Sequence, residues 1–447
     1  MKKEIVLGLT MAIPLSVMAK QPNIIYIFTD QQNGQTMSCT GNSDLNTPAM
    51  DRLAREGVRF ANAYVAAPLS TPSRSAMMTG VTPSVTETMV NGTPIKVPYC
   101  DNTLGKLLSA KGYRCAYGGK WHLPTSNIPD KTEGFEKVYN HNDYGLAEAC
   151  GEYLSKHAKS DQPIFMVVSF DNPHNICEYV RDQNIFYADI AEPELKNCPN
   201  LPANFAIAPF DAHMIRAEHR ANFKLYATTG YTIEDWRRYR NAYYRLTEAV
   251  DREIGKLLTY MDKNKMWDNT VVFFSSDHGD GNAAHQWNMK SALYEETTNI
   301  PFIVRLPGGA NGGRVSEALV NNGLDLFATI CDYASVKMPD YCLGKSLRPV
   351  LEGKATDVNE YVVTETLFDA STAMGWSVRG KDYKYTVYDK GRYREQLYDM
   401  RTDRGEMVNL AIEEKYRKTL DQYRKALVQW HETSGVKKDI RATPIIK

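Results

Sequence analysis

The stretch NIIYIFTD, from Asn23 to Asp30, is a run of β-branched and aromatic residues that ends in a carboxylate. Such a run predicts a strand buried on both faces, with Asp30 at its carboxyl end. Three later stretches repeat the pattern: PIFMVVSFDNPH (163–174), NTVVFFSSDHGD (269–280) and IPFIVRLPG (300–308). Strands buried on both faces are typical of a parallel sheet that helices cover.

Helical patterns alternate with these strands. One helix is predicted from Pro48 to Gly57 with Thr47 as its N-cap, and the segment 232–263 is a long amphipathic helix. The alternation predicts an α/β fold, with a large and mostly parallel sheet between helices. Polar residues follow the strand ends, and in open α/β sheets that edge is where ligands bind.

Charge and cysteine content exclude several classes of protein. The chain has 53 basic and 53 acidic residues, so its net charge of zero argues against a broad nucleic-acid surface but allows a local basic pocket. The eight cysteines form no Cys-x-x-Cys pair, which argues against structural zinc. We expect no nucleic-acid partner.

The two ends of the chain differ from its centre. Residues 1–19 have a basic start, an apolar stretch and small residues before Lys20, which predicts a secretory signal peptide cleaved near Ala19 and a periplasmic location. A buried first strand or helix is the alternative. No later stretch is apolar enough to span a membrane. Residues 20–356 are expected to form the main, catalytic domain. Residues 357–447 are expected to form a small antiparallel sheet with a packed helix near Glu413–His431.

The stretch LSTPSRSAMMTG (69–80) combines a hydroxyl, a proline and a guanidinium at a predicted helix start. Ser70 suits an N-cap and Pro72 suits the first turn. Arg74, however, places a cation where the helix dipole prefers an anion. Capping alone therefore leaves the arginine unexplained.

Ser70-x-Pro72-x-Arg74 resembles the signature of the type I sulfatases, a family of the alkaline phosphatase superfamily. The resemblance covers nearly the whole chain after residue 20 and extends over further motifs: PNIIYIFTDQQ (22–32), GGKWH (118–122), NPH (172–174), SSDHG (275–279), Lys290 and LYDMRTDRGEMVNLA (397–411). It implies an alkaline-phosphatase-like fold with a small C-terminal subdomain, in agreement with the pattern of strands and helices.

The resemblance implies that Ser70 is oxidised to formylglycine. For a serine-type signature, this oxidation requires a radical-type sulfatase-maturating enzyme that acts before export. A hydrated aldehyde carries two hydroxyls on one carbon, so one can attack sulfur while the other later expels the sulfate. Arg74 would hold the hydrated nucleophile and offset nearby charge.

The resemblance also implies a divalent cation, with the modified Ser70 among its ligands. The other four implied ligands are Asp30, Gln31, Asp277 and His278. Oxygen ligands favour Ca²⁺. Many family members have aspartate where this chain has Gln31 and asparagine where it has His278, and a nitrogen ligand admits Mn²⁺ more readily. We expect Ca²⁺, with Mn²⁺ as the alternative.

Four further residues correspond to catalytic positions of the family. Lys120 and Lys290 resemble the two sulfate-binding lysines, which stabilise charge on the sulfuryl oxygens. His122 resembles the histidine that contacts the formylglycine hydroxyl and takes its proton. His174 resembles the histidine that protonates the leaving alcohol.

The expected function is that of an exported sulfatase, with a sulfated saccharide such as a glycosaminoglycan or mucin-type fragment as substrate. His285 and Trp287 either line its sugar subsite or pack against neighbouring residues of their loop. One alternative is a phosphoryl hydrolase of the same superfamily that uses unmodified Ser70 and two zinc ions. Another is a binder of sulfated glycans that has no catalytic activity.

Overall fold

The computed structural model describes residues 21–123, 133–185, 190 and 193–436, and the predicted signal peptide lies outside them. Its centre is one sheet of eight strands. The strands are β1 (Asn23–Asp30), β2 (Val58–Tyr64), β3 (Arg114–Gly119), β4 (Glu136–Tyr139), β5 (Ile164–Pro173), β6 (Thr270–Ser276), β7 (Phe302–Arg305) and β8 (Arg314–Asn321). All four predicted strands are confirmed.

The strand order across this sheet is β4-β3-β5-β1-β6-β7-β2-β8. The first five strands in that order pair in parallel, whereas β7 runs antiparallel to both of its neighbours. The expectation of a large, mostly parallel sheet is therefore confirmed. Because β1 lies between β5 and β6, the residues that follow these three strands meet at one edge of the sheet.

Helices cover both faces of the sheet. They are α1 (Pro48–Glu56), α2 (Ser70–Thr79), α3 (Pro83–Thr86), α4 (Leu104–Ala110), α5 (Leu146–His157), α6 (Ile176–Val180), α7 (His213–Ala221), α8 (Ile233–Lys263), α9 (Glu295–Thr298), α10 (Leu324–Tyr333), α11 (Arg348–Leu351) and α12 (Arg417–Ser434). Alternate residues of β1 face opposite layers: Tyr26 packs in the core with α2 and α10, and Ile25 packs in the core with α5 and α8. Across the described ranges, the helices include none that is long and apolar enough to cross a membrane.

Thr47 occupies the predicted N-cap position of α1 but does not cap the helix with its side chain. The helix begins at Pro48 as expected, but Thr47 makes no capping hydrogen bond to its backbone. The Thr47 hydroxyl instead accepts the N–H of Ser38 and donates to Asp51 Oδ1. The Thr47 hydroxyl therefore bonds to Ser38 and Asp51 rather than to the backbone N–H groups of α1.

A second sheet lies near the C-terminus. Its four antiparallel strands are β9 (Val362–Leu367), β10 (Met374–Arg379), β11 (Tyr383–Tyr388) and β12 (Glu395–Asp399). Leu420 and Leu427 of α12 pack on it, which confirms the expected small sheet with a packed helix. The boundary at residue 357 stays a prediction.

The edge strand β9 holds the small sheet against loops of the large one. The backbone N–H of Glu365 donates to the carbonyl of Ala66 at 2.9 Å. The hydroxyl of Thr366 donates to the carbonyl of Ser291 at 2.7 Å. The loop of Ala66 leads to Ser70, and the loop of Ser291 follows Lys290. The small sheet therefore supports the edge where the predicted site lies.

Candidate active site

Ser70 is the first residue of α2, and its side chain is fully buried. Its Oγ lies 2.9 Å from Nε2 of His278, the one hydrogen bond of this hydroxyl within the described residues. The hydroxyl therefore points away from the helix backbone and towards the end of β6. Ser70 is not an N-cap, because the helix leaves its hydroxyl to another partner.

Arg74, one turn further along α2, joins two carboxylates. Its Nη2 donates to Asp30 Oδ2 and its Nε donates to Asp277 Oδ2, both at 2.8 Å. Its Nη1 donates to the carbonyl of Lys120 at 2.6 Å. The unfavourable position of a cation near the start of α2 is thus offset by two buried anions, one from β1 and one from the loop after β6.

Asp30, Asp277 and His278 each offer a ligand atom, and these atoms lie within 4.8 Å of one another. Asp30 Oδ1 is buried without a hydrogen-bond partner, 3.6 Å from His278 Nε2. A buried carboxylate oxygen that faces other ligand atoms and has no partner is costly, and a bound cation would satisfy it. The residues present therefore fit a divalent cation.

The electrostatic surroundings keep Asp30 ionised. Burial alone would raise its pKa, but the charges of Lys120 and Arg74 hold the pKa well below its usual value. An ionised carboxylate is the form that binds a metal ion.

Gln31 has a backbone φ of 72°, which directs the chain sharply at the end of β1. Its side-chain Nε2 donates to Asp280 Oδ2 at 2.8 Å, and Cys177 Sγ lies 3.5 Å from its Oε1. Both ends of the amide thus have partners outside the group of Asp30, Asp277 and His278. That Gln31 ligates the cation stays a prediction.

The two predicted lysines differ in their partners. Lys120 Nζ lies 2.8 Å from Asp30 Oδ2 and 2.7 Å from Asp171 Oδ1. Lys290 is only 5% exposed, yet its ammonium makes no hydrogen bond or ion pair with the described residues. A nearly buried ammonium without an anion is costly, so its surroundings are suited to an anionic ligand.

The backbone around Lys120 is fixed by a close approach. Gly119 has φ = 93°, and a Cβ there would lie 2.0 Å from the carbonyl oxygen of Ser169. The Lys120 N–H donates to that same oxygen at 2.9 Å. The glycine before the lysine is therefore required for β3 to end this close to β5.

The two predicted catalytic histidines lie beside these lysines. Burial and the Lys120 charge lower the pKa of His122 to about 3, and its Nδ1 is buried without a partner. Burial and the charges of Lys120 and Lys290 hold the pKa of His174 well below its usual value. Both imidazoles are therefore neutral near pH 7 before an anion binds.

Sequence reasoning missed two carboxylates that support Lys120. Asp171 binds the lysine ammonium directly. Asp143 accepts the backbone N–H groups of Asp171 and Asn172 at 2.6 and 2.8 Å. Burial and the neighbouring Asp171 raise the pKa of Asp143 to about 7. The position of Asp171 near the carboxyl end of the buried strand β5, three residues before His174, was the available signal.

The expected alternative of a sugar subsite at His285 and Trp287 is not supported by their positions. Both side chains are 0% exposed. His285 stacks on Tyr294 with ring centroids 4.1 Å apart, and Trp287 packs on Tyr226 at 4.6 Å. An indole with no exposed surface has no face to offer a sugar. Both side chains instead pack against other residues of the protein, which was the other expectation.

His285 also belongs to a second group of metal-ligand types, with Glu296 and Glu406. Here Lys384 Nζ already lies 2.8 Å from Glu406 Oε1. Cations therefore lie beside both groups, because Arg74 and Lys120 contact Asp30. The Asp30 group is the candidate for the cation of the site because it also adjoins Ser70, whose Oγ lies 2.9 Å from His278 Nε2.

Comparison with known proteins identifies the family. Residues 22–336 match the family described as Sulfatase. The chain belongs to the sulfatase family. Residues 283–433 of this sulfatase also match the family described as N-sulphoglucosamine sulphohydrolase, C-terminal. It is a sulfuric ester hydrolase, which sets aside the phosphoryl hydrolase and the inactive binder.

Named relatives extend over nearly the whole sulfatase chain. A Δ4,5-hexuronate-2-O-sulfatase of Bacteroides thetaiotaomicron is 33% identical, over 94% of this chain and 91% of the relative. An N-acetylglucosamine-6-O-sulfatase of the same organism is 27% identical, over 89% and 84%. A solved structure of a 2-O GAG sulfatase is 30% identical with a TM-score of 0.82 and 94% coverage of each chain. The alkaline-phosphatase-like fold is thereby confirmed.

Proposed function

We propose that this sulfatase hydrolyses sulfate esters of sulfated sugars, with formylglycine made from Ser70 as its nucleophile and a divalent cation beside it. The observation that carries the proposal is the 2.9 Å contact between Ser70 Oγ and His278 Nε2. It directs the side chain of residue 70 towards Asp30 and Asp277, the carboxylates of the candidate cation site.

The residues around Ser70 suit an attack on a sulfate ester. Lys290 has no anionic partner among the described residues, so its ammonium can hold a sulfuryl oxygen. Lys120 Nζ contacts Asp30 and Asp171, which leaves its third N–H to donate to another sulfuryl oxygen. When bound, the cation would stabilise negative charge on the nucleophile and on the sulfate. Ca²⁺ is the proposed ion because carboxylate oxygens dominate the site, and the nitrogen of His278 keeps Mn²⁺ as the alternative.

The histidines divide the proton transfers. Neutral His122 has an unpaired Nδ1 and is suited to accept a proton from the hydroxyl of residue 70. In the resting enzyme, the charges of Lys120 and Lys290 disfavour protonation of His174. The charge of a bound sulfate would offset that repulsion and let His174 carry the proton that the leaving sugar oxygen needs.

The substrate class rests on the relatives, whose names specify sulfated hexuronate and N-acetylglucosamine. A sulfated saccharide of the glycosaminoglycan type is the proposed substrate. Export is proposed from the sequence of residues 1–19, and the maturating enzyme from the serine in the signature.

The experiment is a panel of defined saccharides, each sulfated at one position, with sulfate release measured by ion chromatography. The enzyme is produced together with a serine-type maturating enzyme. Turnover of one or more sulfated sugars is the expected result. Cleavage of aryl sulfates with no turnover of any saccharide on the panel would contradict the proposed substrate class.

A further inference from the structure

An open cleft of about 670 Å³ is lined by the segments that follow α6 and α7. Arg181, directly after α6, and Lys224, shortly after α7, contribute its two cations, and Phe223 contributes an aromatic ring. Asp369, after β9, is its one acidic residue. The residues described so far as catalytic take no part in this cleft.

The cleft is connected to the catalytic residues through Arg181. Its Nη2 lies 4.0 Å from Sδ of Met289, the residue before Lys290. Its positive charge also acts on the thiol of Cys177, which lies 4.0 Å from His174 Nε2. Arg181 therefore lines the cleft and contacts the residue before Lys290, which places the cleft near the proposed sulfate site.

The cations of the cleft have no anionic partner. Within the described residues, neither Arg181 nor Lys224 forms an ion pair, although Arg181 is only partly exposed. A partly desolvated guanidinium without a carboxylate is unfavourable unless a ligand supplies the anion. The fork of an arginine matches a carboxylate in two parallel hydrogen bonds.

Phe223 adds a surface for a sugar ring. Its side chain is 60% exposed, which is unusual for a large apolar residue, and it lies between the polar residues of the same wall. A flat apolar face beside two cations suits a ring that carries an anionic substituent.

We propose that this cleft binds a second anionic group of the substrate sugar, with Arg181 and Lys224 as its ligands and Phe223 against the ring. The proposal rests on the proposed function and makes it more specific. A ring carboxylate fits the arginine fork best, and a second sulfate offers the same charge. Neutral monosulfated sugars would then be the poorer substrates.

The test compares Arg181→Gln, Lys224→Gln and the double variant with Lys418→Gln, an exposed lysine on α12. Substrates are 2-O-sulfated uronate disaccharides and their carboxyl-reduced counterparts, with glucosamine 6-O-sulfate and its 2-N,6-O-disulfate as a second pair. We expect KM for one charged substrate to rise about 10- to 100-fold in each single cleft variant, with kcat nearly unchanged. Its less charged counterpart and the Lys418→Gln variant should be unaffected.

If KM rises only for the uronate that keeps its carboxyl group, the bound anion is a carboxylate. If KM rises only for the disulfate, the bound anion is a sulfate. Either result supports the proposal. Equal effects on both members of each pair, or no effect on any substrate, would overturn it. Sulfate release by the wild type in those cases leaves the proposed function intact. A wild type that desulfates none of the four sugars would overturn both proposals together.

Discussion

The guanidinium of Arg74 donates from Nη2 to Asp30 Oδ2 and from Nε to Asp277 Oδ2, both at 2.8 Å. All three side chains are at most 1% exposed. Arg74 therefore links the central strand β1 to the loop after β6 and fixes two carboxylates of the candidate cation site. Arg74 thus assembles the carboxylates of the candidate site.

Removing Arg74 should destabilise the protein strongly. Arg74→Ala leaves buried Asp277 without its cation and leaves Asp30 with Lys120 alone, and we expect the free energy of unfolding to fall by about 3–5 kcal/mol. The half-exposed ion pairs of Arg348 provide the control, since Arg348→Ala should cost about 1 kcal/mol or less. Urea unfolding measures both. Equal effects in the two variants would show that the Arg74 pairs add nothing beyond a surface pair.

The group at Asp30, rather than the one at His285, should hold the cation. Ca²⁺ added to the demetallated wild type should raise Tm, because an ion that binds the folded state alone stabilises it. Asp277→Asn should abolish that rise, whereas Glu296→Gln in the second group should keep it. Differential scanning fluorimetry across a Ca²⁺ titration makes the comparison. If Glu296→Gln abolishes the rise in Tm and Asp277→Asn keeps it, the ion binds the group at His285 instead.

His174 should act on the leaving group and Lys120 on the sulfate. His174→Ala should cost about 10²–10⁴-fold in kcat/KM on a sulfated sugar, which needs a proton on its departing oxygen. The loss should be far smaller on 4-nitrophenyl sulfate, provided that the wild type accepts this substrate. Lys120→Ala should slow both substrates by similar factors, because both share the sulfuryl group. If His174→Ala slows both equally, the histidine is a sulfate-binding or structural residue.

Glu365 should make stability depend on pH. The side chain is 1% exposed and accepts the N–H of Ser84 at 2.7 Å, while its Oε2 has no partner. Burial raises its pKa from 4.5 to about 7. Between these values the folded state holds a proton that the unfolded state has lost. Stability from this group is therefore greatest below about pH 4.5 and falls as the pH rises to about 7.

Glu365→Gln removes this titration. By linkage the wild type should lose about 3 kcal/mol more than the variant between pH 5 and pH 8. Urea midpoints at the two pH values measure the difference. Glu152→Gln, at an exposed position of α5, should retain the wild-type pH dependence. Parallel curves for wild type and Glu365→Gln would disprove the assignment.

The sequence predicted those parts of the fold in which a local pattern determines the structure. β1 is buried on both faces, so Ile24–Phe28 form an uninterrupted apolar run shortly before Asp30. β2 was missed because Arg59 and Asn62 interrupt its pattern. The antiparallel direction of β7 is set by pairing with distant strands, which no local pattern records.

The site shows the same limit. Motifs predicted that residues such as Asp30, Ser70 and Asp277 carry the chemistry, and the fold brings them together at one edge of the sheet. The burial of Trp287 could not be predicted, because it depends on Tyr226 and Tyr294 from other parts of the chain. The support of Lys120 by Asp171 likewise depends on the pairing of β3 with β5.

The central claim is that residue 70 is formylglycine in the active enzyme, and one mass measurement tests it. Trypsin releases the peptide Phe60–Arg74 from protein produced with a serine-type maturating enzyme. We predict a peptide two hydrogens lighter than the encoded sequence, or its hydrate, in a fraction that rises with specific activity. The Ser70→Ala peptide should have the unmodified mass calculated from its own sequence, and the variant should have no activity. Full activity in protein that carries only intact serine at position 70 would contradict the account.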